Sequence, residues 1–228
     1  MTLPEPGAAA STQVGVVRGM TTADVGFAAV LHHTALPHGF FARLGTSFLL
    51  CYYESFIASP HALALVAQGA SGPAGVLVGT VRTSQHYSWV LRRFGPRLVL
   101  QGAVALLRKP RLLMFFLRTR LGWYSAAVLR VGRRSVRRSR AQAAAGAPEP
   151  AVLTHVAVTP FGRGTGTGAA LVREFVDAAH AAGCRHAVLV TLAGSDGAGR
   201  FYQRLGWIRR DVHRDHDGRL VECYERRL

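Results

Sequence analysis

Four glycines stand in seven positions of Gly162-Arg163-Gly164-Thr165-Gly166-Thr167-Gly168. A β-branched run, residues 152–158, precedes them, and an amphipathic stretch, residues 166–182, follows. Glycine leaves backbone N–H groups uncovered, and a helix N-terminus adds partial positive charge. A strand–loop–helix unit of this composition is therefore a concave binder of phosphate or pyrophosphate. A flexible loop without a ligand is the competing reading for glycines alone, and the ordered flanks weigh against it. Two nucleotide chemistries fail on residue type. Gly164-x-Gly166-x-x-Ala169 satisfies a dinucleotide fingerprint, but the next strand, residues 187–191, ends without the acidic residue that would hold a ribose. A Walker loop needs Gly-Lys-Ser/Thr, and the chain's single lysine is Lys109.

A second pattern lies downstream: Ser195-x-x-Ala198-x-x-Phe201-Tyr202-x-x-Leu205-Gly206-Trp207. Together with Val158-Thr159-Pro160 and the Arg163–Gly168 segment, it resembles the GNAT superfamily of acetyl-CoA-dependent N-acyltransferases. The first segment is similar to that family's Arg-x-x-Gly-x-Gly loop. The second is similar to its Asn-x-x-Ala-x-x-Phe-Tyr-x-x-x-Gly-Phe, with Ser195 in place of Asn and Trp207 in place of Phe. The motifs cover residues 152–226, and residues 14–82 match by element order alone.

The resemblance implies acetyl-CoA as co-substrate and no metal. It places the amides of Thr165, Gly166, Thr167 and Gly168 on the pyrophosphate, beside Arg163 and Gly164. The main chain of Val156, Ala157 and Val158 would hold the pantetheine arm as an added strand, and Ser195 would border the cofactor. Tyr202 is implied as the acid that protonates the departing thiolate, since a phenol of pKa about 10 lies above a thiol; a tyrosine packed beside Phe201 is the plainer alternative. The base stays open. His155, on the central strand, has a reference pKa near 6.5 suited to that task, and a histidine satisfied by packing competes with it. His32, His33 and His38 are further candidates, near where the family builds acceptor sites. The implied function is direct transfer of an acetyl or short acyl group, in a ternary complex, to an amine on a small molecule, glycan or peptide. The alternative is a non-catalytic acyl-CoA-binding module.

These residues need elements to hold them. A strand over 14–18 precedes a helix opening at Thr21 or Thr22 with Asp24, whose Val25, Ala28, Ala29 and His32 share a face. One long helix is expected over 40–57, ended by Pro60. A hairpin over 62–68 and 75–82 follows. Beyond the central strand come a helix over 166–182, a strand over 187–191, a helix over 198–205 and a hairpin over 208–213 and 220–226. Alternation along the central strand puts Thr154, Val156 and Val158 on one face and His155 on the other. The fold class is α/β: a GNAT-like mixed, mostly antiparallel sheet, splayed in a V between two central parallel strands, with helices on both faces and a helical basic insertion. The organisation reads as a tail (1–13), the first part of the acyltransferase domain (14–83), the insertion with its linker (84–150) and the second part (151–228).

The insertion holds the charge. The 228 residues carry a net +16 and 49% hydrophobic residues, which excludes wholesale disorder; residues 84–150 carry +13 of that charge. Arg130, Arg133, Arg134 and Arg137 recur at helical spacing, and Leu121, Tyr124, Val128 and Val131 form an apolar stripe. With Trp89, Phe94, Phe115, Phe116, Trp123 and Tyr124 interleaved, the segment predicts contact with an anionic membrane surface. A packed subdomain is the plainer reading, and no recognition motif supports nucleic acid. Three widely spaced cysteines, no signal-peptide pattern and no apolar run of about 18 residues predict a cytoplasmic protein, peripheral to the membrane at most. A homodimer is left open.

Overall fold

The computed structural model describes residues 16–37, 39–119, 149–194, 197–215 and 217–228. The tail, the Arg130–Arg133–Arg134–Arg137 stretch, the linker up to residue 148, His38 and Ser195 lie outside them. Seven strands form one sheet: β1 (Val17–Gly19), β2 (Ala62–Gly69), β3 (Gly72–Thr80), β4 (Ala151–Val158), β5 (His186–Leu192), β6 (Ile208–Arg214) and β7 (Leu220–Arg227), in the order β1-β2-β3-β4-β5-β7-β6. Every neighbouring pair is antiparallel except β4 and β5.

That parallel pair is short. Ala151–Leu153 pair with Ala187–Leu189, and nothing beyond them does, although β4 runs on to Val158 and β5 to Leu192. The opening expected between the two central strands is therefore present. Strict alternation along β4 is not. Val78 pairs with His155 and Gly79 with Leu153, so Thr154 is an extra residue bulged out of the ladder. The bulge resets the faces: Ala151, Leu153 and Val156 meet one core, while Ala157 joins the other and the His155 ring lies against His32 and Tyr52.

Three helices cover the second face: α1 (Val25–Ala35), α2 (Phe40–Leu44) and α3 (Thr46–Ala58). Upstream of α1, Arg18 grips the Asp24 carboxylate with two 2.8 Å hydrogen bonds, and the Thr21 N–H donates to the same carboxylate. The single helix expected over 40–57 breaks at Gly45, whose φ of 99° lies in the left-handed region. Its N–H donates to the Ala42 carbonyl, and the chain restarts as α3.

The insertion begins as three helices, α4 (Thr83–Arg93), α5 (Gly95–Leu107) and α6 (Pro110–Thr119). α4 is held by a buried His86 whose Nδ1 lies 2.9 Å from Ser59 Oγ and whose ring meets Phe56 at 4.5 Å. Glu149 accepts hydrogen bonds from the Ser84 N–H and hydroxyl, so the two ends of the insertion meet. Four of the six aromatic residues expected at a bilayer, Trp89, Phe94, Phe115 and Phe116, pack against other side chains instead, and Trp123 and Tyr124 lie outside the described residues. Phe94 is buried, Phe116 stacks on Phe40 at 5.9 Å, and Phe115 lies under the Arg43 guanidinium at 4.7 Å. Trp89 packs against Phe94. The core under α2 and α3 gives these rings more contact than a surface would.

α7 (Thr167–Ala181) covers the first face with Leu171, Val172, Phe175 and Ala179, and α8 (Gly199–Arg204) follows β5. A Cβ on Gly79 would lie 2.5 Å from the Phe175 ring and 2.7 Å from the Val152 carbonyl, so only glycine lets α7 sit down at the bulge. No helix among the described residues is long and apolar enough to cross a membrane.

Candidate functional site

The loop after β4 is pinned before it is free to bind. The Thr159 N–H and hydroxyl both donate to the Ala74 carbonyl of β3, at 2.9 and 3.1 Å. The same hydroxyl oxygen accepts the Gly162 N–H and closes a 3-10 turn over Pro160–Gly162. Gly162 is buried there, and a Cβ on it would stand 2.8 Å from Val158 Cγ1 and 2.9 Å from the Ala74 carbonyl. Past this anchor Gly164 (φ 77°) and Gly166 (φ 84°) adopt left-handed conformations that side chains rarely take. Thr165 gives its one hydroxyl proton to the Gly162 carbonyl at 2.9 Å, so the 2.7 Å contact with Thr167 Oγ1 is donated by Thr167. The Ala170 N–H is bonded to the carbonyl of Gly166, the residue that caps α7. The preceding amides form, with the helix dipole, a concave anion cradle.

The second motif abuts the first. A Cβ on Gly168 would touch the Phe201 ring at 3.4 Å and Val158 at 3.5 Å, so α7, β4 and α8 meet there. α8 is tied to β5 by the Ala198 N–H, which donates to Thr191 Oγ1 at 3.2 Å. Tyr202 on this helix is buried, with its ring 5.1 Å from Phe201, 5.9 Å from Trp207 and 6.2 Å from Tyr224. Burial pushes its phenol up to about 12. Beneath α8 the Tyr224 hydroxyl donates to Glu222 at 2.8 Å and Arg209 to its other oxygen at 2.7 Å, which together lower the Glu222 carboxyl. A Cβ on Gly199 would fall 2.6 Å from both Glu222 Oε2 and the Tyr224 hydroxyl. Glycine is what lets α8 lie so close to β7.

His155 differs from its sequence expectation. It faces His32, with ring centroids 4.6 Å apart, and its Nε2 is buried with no hydrogen-bond partner among the described residues. Burial, with the His32 imidazole alongside, lowers it to about 3. His32 is fully buried, its Nδ1 3.0 Å from the Tyr53 hydroxyl, and burial lowers it to about 4. His33 is spent on the Ala42 carbonyl at 3.0 Å and joins α1 to α2. The base role expected of His155 rested on a pKa near neutrality, and burial beside His32 works against it. Taking a proton from an ammonium of pKa about 10 would be uphill by several units.

Val156, Ala157 and Val158 lie in the part of β4 that leaves β5, and Gly162 to Gly168 follow at its end, with Arg163 exposed beside them. The structure also assembles a cluster that spacing did not signal. Asp211, His213 and Cys223 bring their ligand atoms within 4.8 Å of one another on β6 and β7. His213 Nδ1 is 3.1 Å from Asp211 Oδ2 and 3.9 Å from the Cys223 sulfur. Two residues lie on one strand and one on its neighbour, so only the pairing of Asp211 with Cys223 reveals them.

The profile of the Acetyltransferase (GNAT) family matches residues 126–207. A search of the curated proteins finds no match. Among solved structures the chain is similar to SsHAT, at 21% identity over 93% of this chain and 97% of that one, with a TM-score of 0.56. It is similar to Ard1 from Thermoplasma volcanium, at 14% identity over 94% and 98% with a TM-score of 0.55. It is similar also to the ribosomal-protein-S18-alanine N-acetyltransferase from Escherichia coli, at 13% identity over 93% and 92% with a TM-score of 0.53. At these identities the likeness is one of fold.

Proposed function

We propose that this chain is a GNAT-type acetyltransferase, a reading supported by the family match over residues 126–207, and that it holds acetyl-CoA along the free edge of β4 and passes the acetyl group directly to an amine. One observation carries the reading: β4 and β5 part after Leu153 and Leu189, and the glycine cradle stands at the far end of the freed edge. The GNAT family uses acetyl-CoA as its co-substrate, and the residues here suit that molecule. The loop's left-handed glycines, Gly164 and Gly166, are exposed and carry no side chain over their amides. When bound, the thioester supplies an activated acyl group.

The chain's own part follows from position. Val156, Ala157 and Val158 pair with β3 on one edge, opposite Leu77, Val76 and Gly75. Their other edge is free to take an extended, amide-bearing arm as a strand. Thr165 to Gly168 would hold the pyrophosphate, with Arg163 beside them and Ser195 bordering the cofactor. Tyr202, at about 12, stays protonated at any working pH and donates its proton as negative charge grows on the leaving sulfur. His155 and His32 stay neutral at pH 7 and wall the bulge. The acceptor amine then reacts in its neutral form, so the rate follows the acceptor's own pKa and shows no step near 6.5.

Titration with acetyl-CoA, followed by thiol release with a panel of amines, amino sugars and peptides, tests this. Tyr202→Phe is expected to lower kcat by about 10²- to 10⁴-fold with CoA affinity nearly unchanged. Normal turnover in that variant removes the acid role. Binding without transfer to any acceptor returns the non-catalytic module.

A further inference from the structure

Residues 83–119, which form α4, α5, α6 and their connections, contain seven lysine and arginine residues and no acidic one. Arg92, Arg93 and Arg97 are exposed around the start of α5, and Arg108, Lys109 and Arg111 are exposed just past its end. Between them α5 is apolar on both sides. Leu98, Ala105 and Leu106 pack into the core formed with α3. On the outside Val99, Leu100 and Leu107 are 70%, 62% and 73% exposed, with Ala103 exposed among them. At about 100° per residue these four positions fall within an arc of roughly 100° along a helix about 20 Å long. A surface helix ordinarily turns a polar face outward. This one presents aliphatic side chains, and Met114 and Leu117 of α6 and Leu91 of α4 are exposed nearby in sequence.

We infer that α5 is a docking face for a membrane carrying anionic lipid headgroups. The inference goes beyond acetyl transfer and does not depend on it. An aliphatic stripe bracketed by cations, with no acid across residues 83–119, matches the two layers of a bilayer surface. The stripe enters the boundary of the acyl chains, while the flanking arginines reach back to the phosphates. A soluble polyanion would use the charge and gain nothing from Val99, Leu100 and Leu107. Tight packing against water alone explains neither the stripe's exposure nor the absence of acids. Arg130, Arg133, Arg134 and Arg137, outside the described residues, extend the positive charge of the same insertion by sequence.

The test is flotation of the full chain with vesicles of phosphatidylcholine, alone or mixed with phosphatidylglycerol, at low salt and at about 0.5 M salt, where screening shortens to a few ångströms. The chain is expected to float with the mixed vesicles at low salt and to be released by high salt. Replacing Arg92, Arg93 and Arg97 together by Gln should weaken binding about 100-fold. Replacing Val99, Leu100 and Leu107 together by Ser should weaken it about tenfold or more at unchanged charge. Circular dichroism checks that each variant keeps its fold, and the single exposed Leu107→Gln, also neutral, carries the second arm should the triple variant unfold. Absence of flotation at low salt overturns the inference. So does loss in the arginine variant with no loss in either stripe variant, which would mark a plain polyanion contact.

Discussion

Mild acid is expected to unfold this protein, and two histidines set the pH. His32 and His86 are each 1% exposed, and burial lowers each to about 4. Unfolded, both return to about 6.5. Between those values the unfolded chain holds protons that the native chain refuses, so stability falls as pH falls. The contribution is complete above about 6.5 and drains away as the pH approaches 4. By pH of about 4.5 each histidine has removed roughly 2–3 kcal/mol, and the pair roughly 5 kcal/mol, comparable with the whole stability of a marginal domain. His155 pulls the same way and adds to that figure. The Asp24 carboxyl, held far below its usual range chiefly by the Arg18 hydrogen bonds, withdraws its share only at lower pH. Urea midpoints from pH of about 7.5 to 4.5 measure the slope, and His86→Leu should remove about half of the pair's share. His86 and Ser59 join α4 to the end of α3, so the insertion should loosen first. A midpoint that stays flat down to pH of about 4.5 would refute the reasoning.

Three glycines make further predictions. Gly162→Ala drives a methyl against Val158 and the Ala74 carbonyl; acetyl-CoA affinity should fall about tenfold or more by calorimetry, with a lower thermal midpoint. Gly79→Ala meets the Phe175 ring and the Val152 carbonyl, and the urea midpoint should show a loss of about 1–3 kcal/mol or more. Gly199→Ala pushes α8 off Glu222 and Tyr224 and displaces Tyr202; kcat should fall while acetyl-CoA affinity stays within a fewfold, and equal losses in both would place the damage in the cradle instead.

What the sequence disclosed was local. A strand, four alternating glycines and a helix follow one another in the chain, so the cradle at Gly162 to Gly168 was legible without knowing what packs on it. The break at Gly45 also had its signal, a glycine just after Leu44 where a helix can stop, but the apolar periodicity on either side masked it. Long-range approach was not legible. His32 and His155 stand far apart in the chain, and only the packing of α1 on β4 makes them mutual neighbours and lowers both. Phe115 and Phe116 read as interfacial beside their arginines until α2 supplied a better surface. Among the described residues of the insertion, the aromatic rings found partners and the aliphatic stripe of α5 was left outside.

The bulge and the split share a cause. Thr154 is inserted immediately after Leu153, the last residue of β4 that pairs with β5. A bulge sharpens the local twist of its strand, so β4 turns with β3 and away from β5 at that point. Gly79 and Phe175 hold the turn from the α7 side, and His155, brought to the α1 side by the reset register, holds it from the other. The product is a strand edge with free N–H and C=O groups in the middle of a sheet, an arrangement that proteins ordinarily cover. Here both walls are fixed by packing, so the edge cannot close on β5. In the reading proposed above, an extended amide chain with a phosphate at one end would lie along that edge, and the cradle at its end would set its direction.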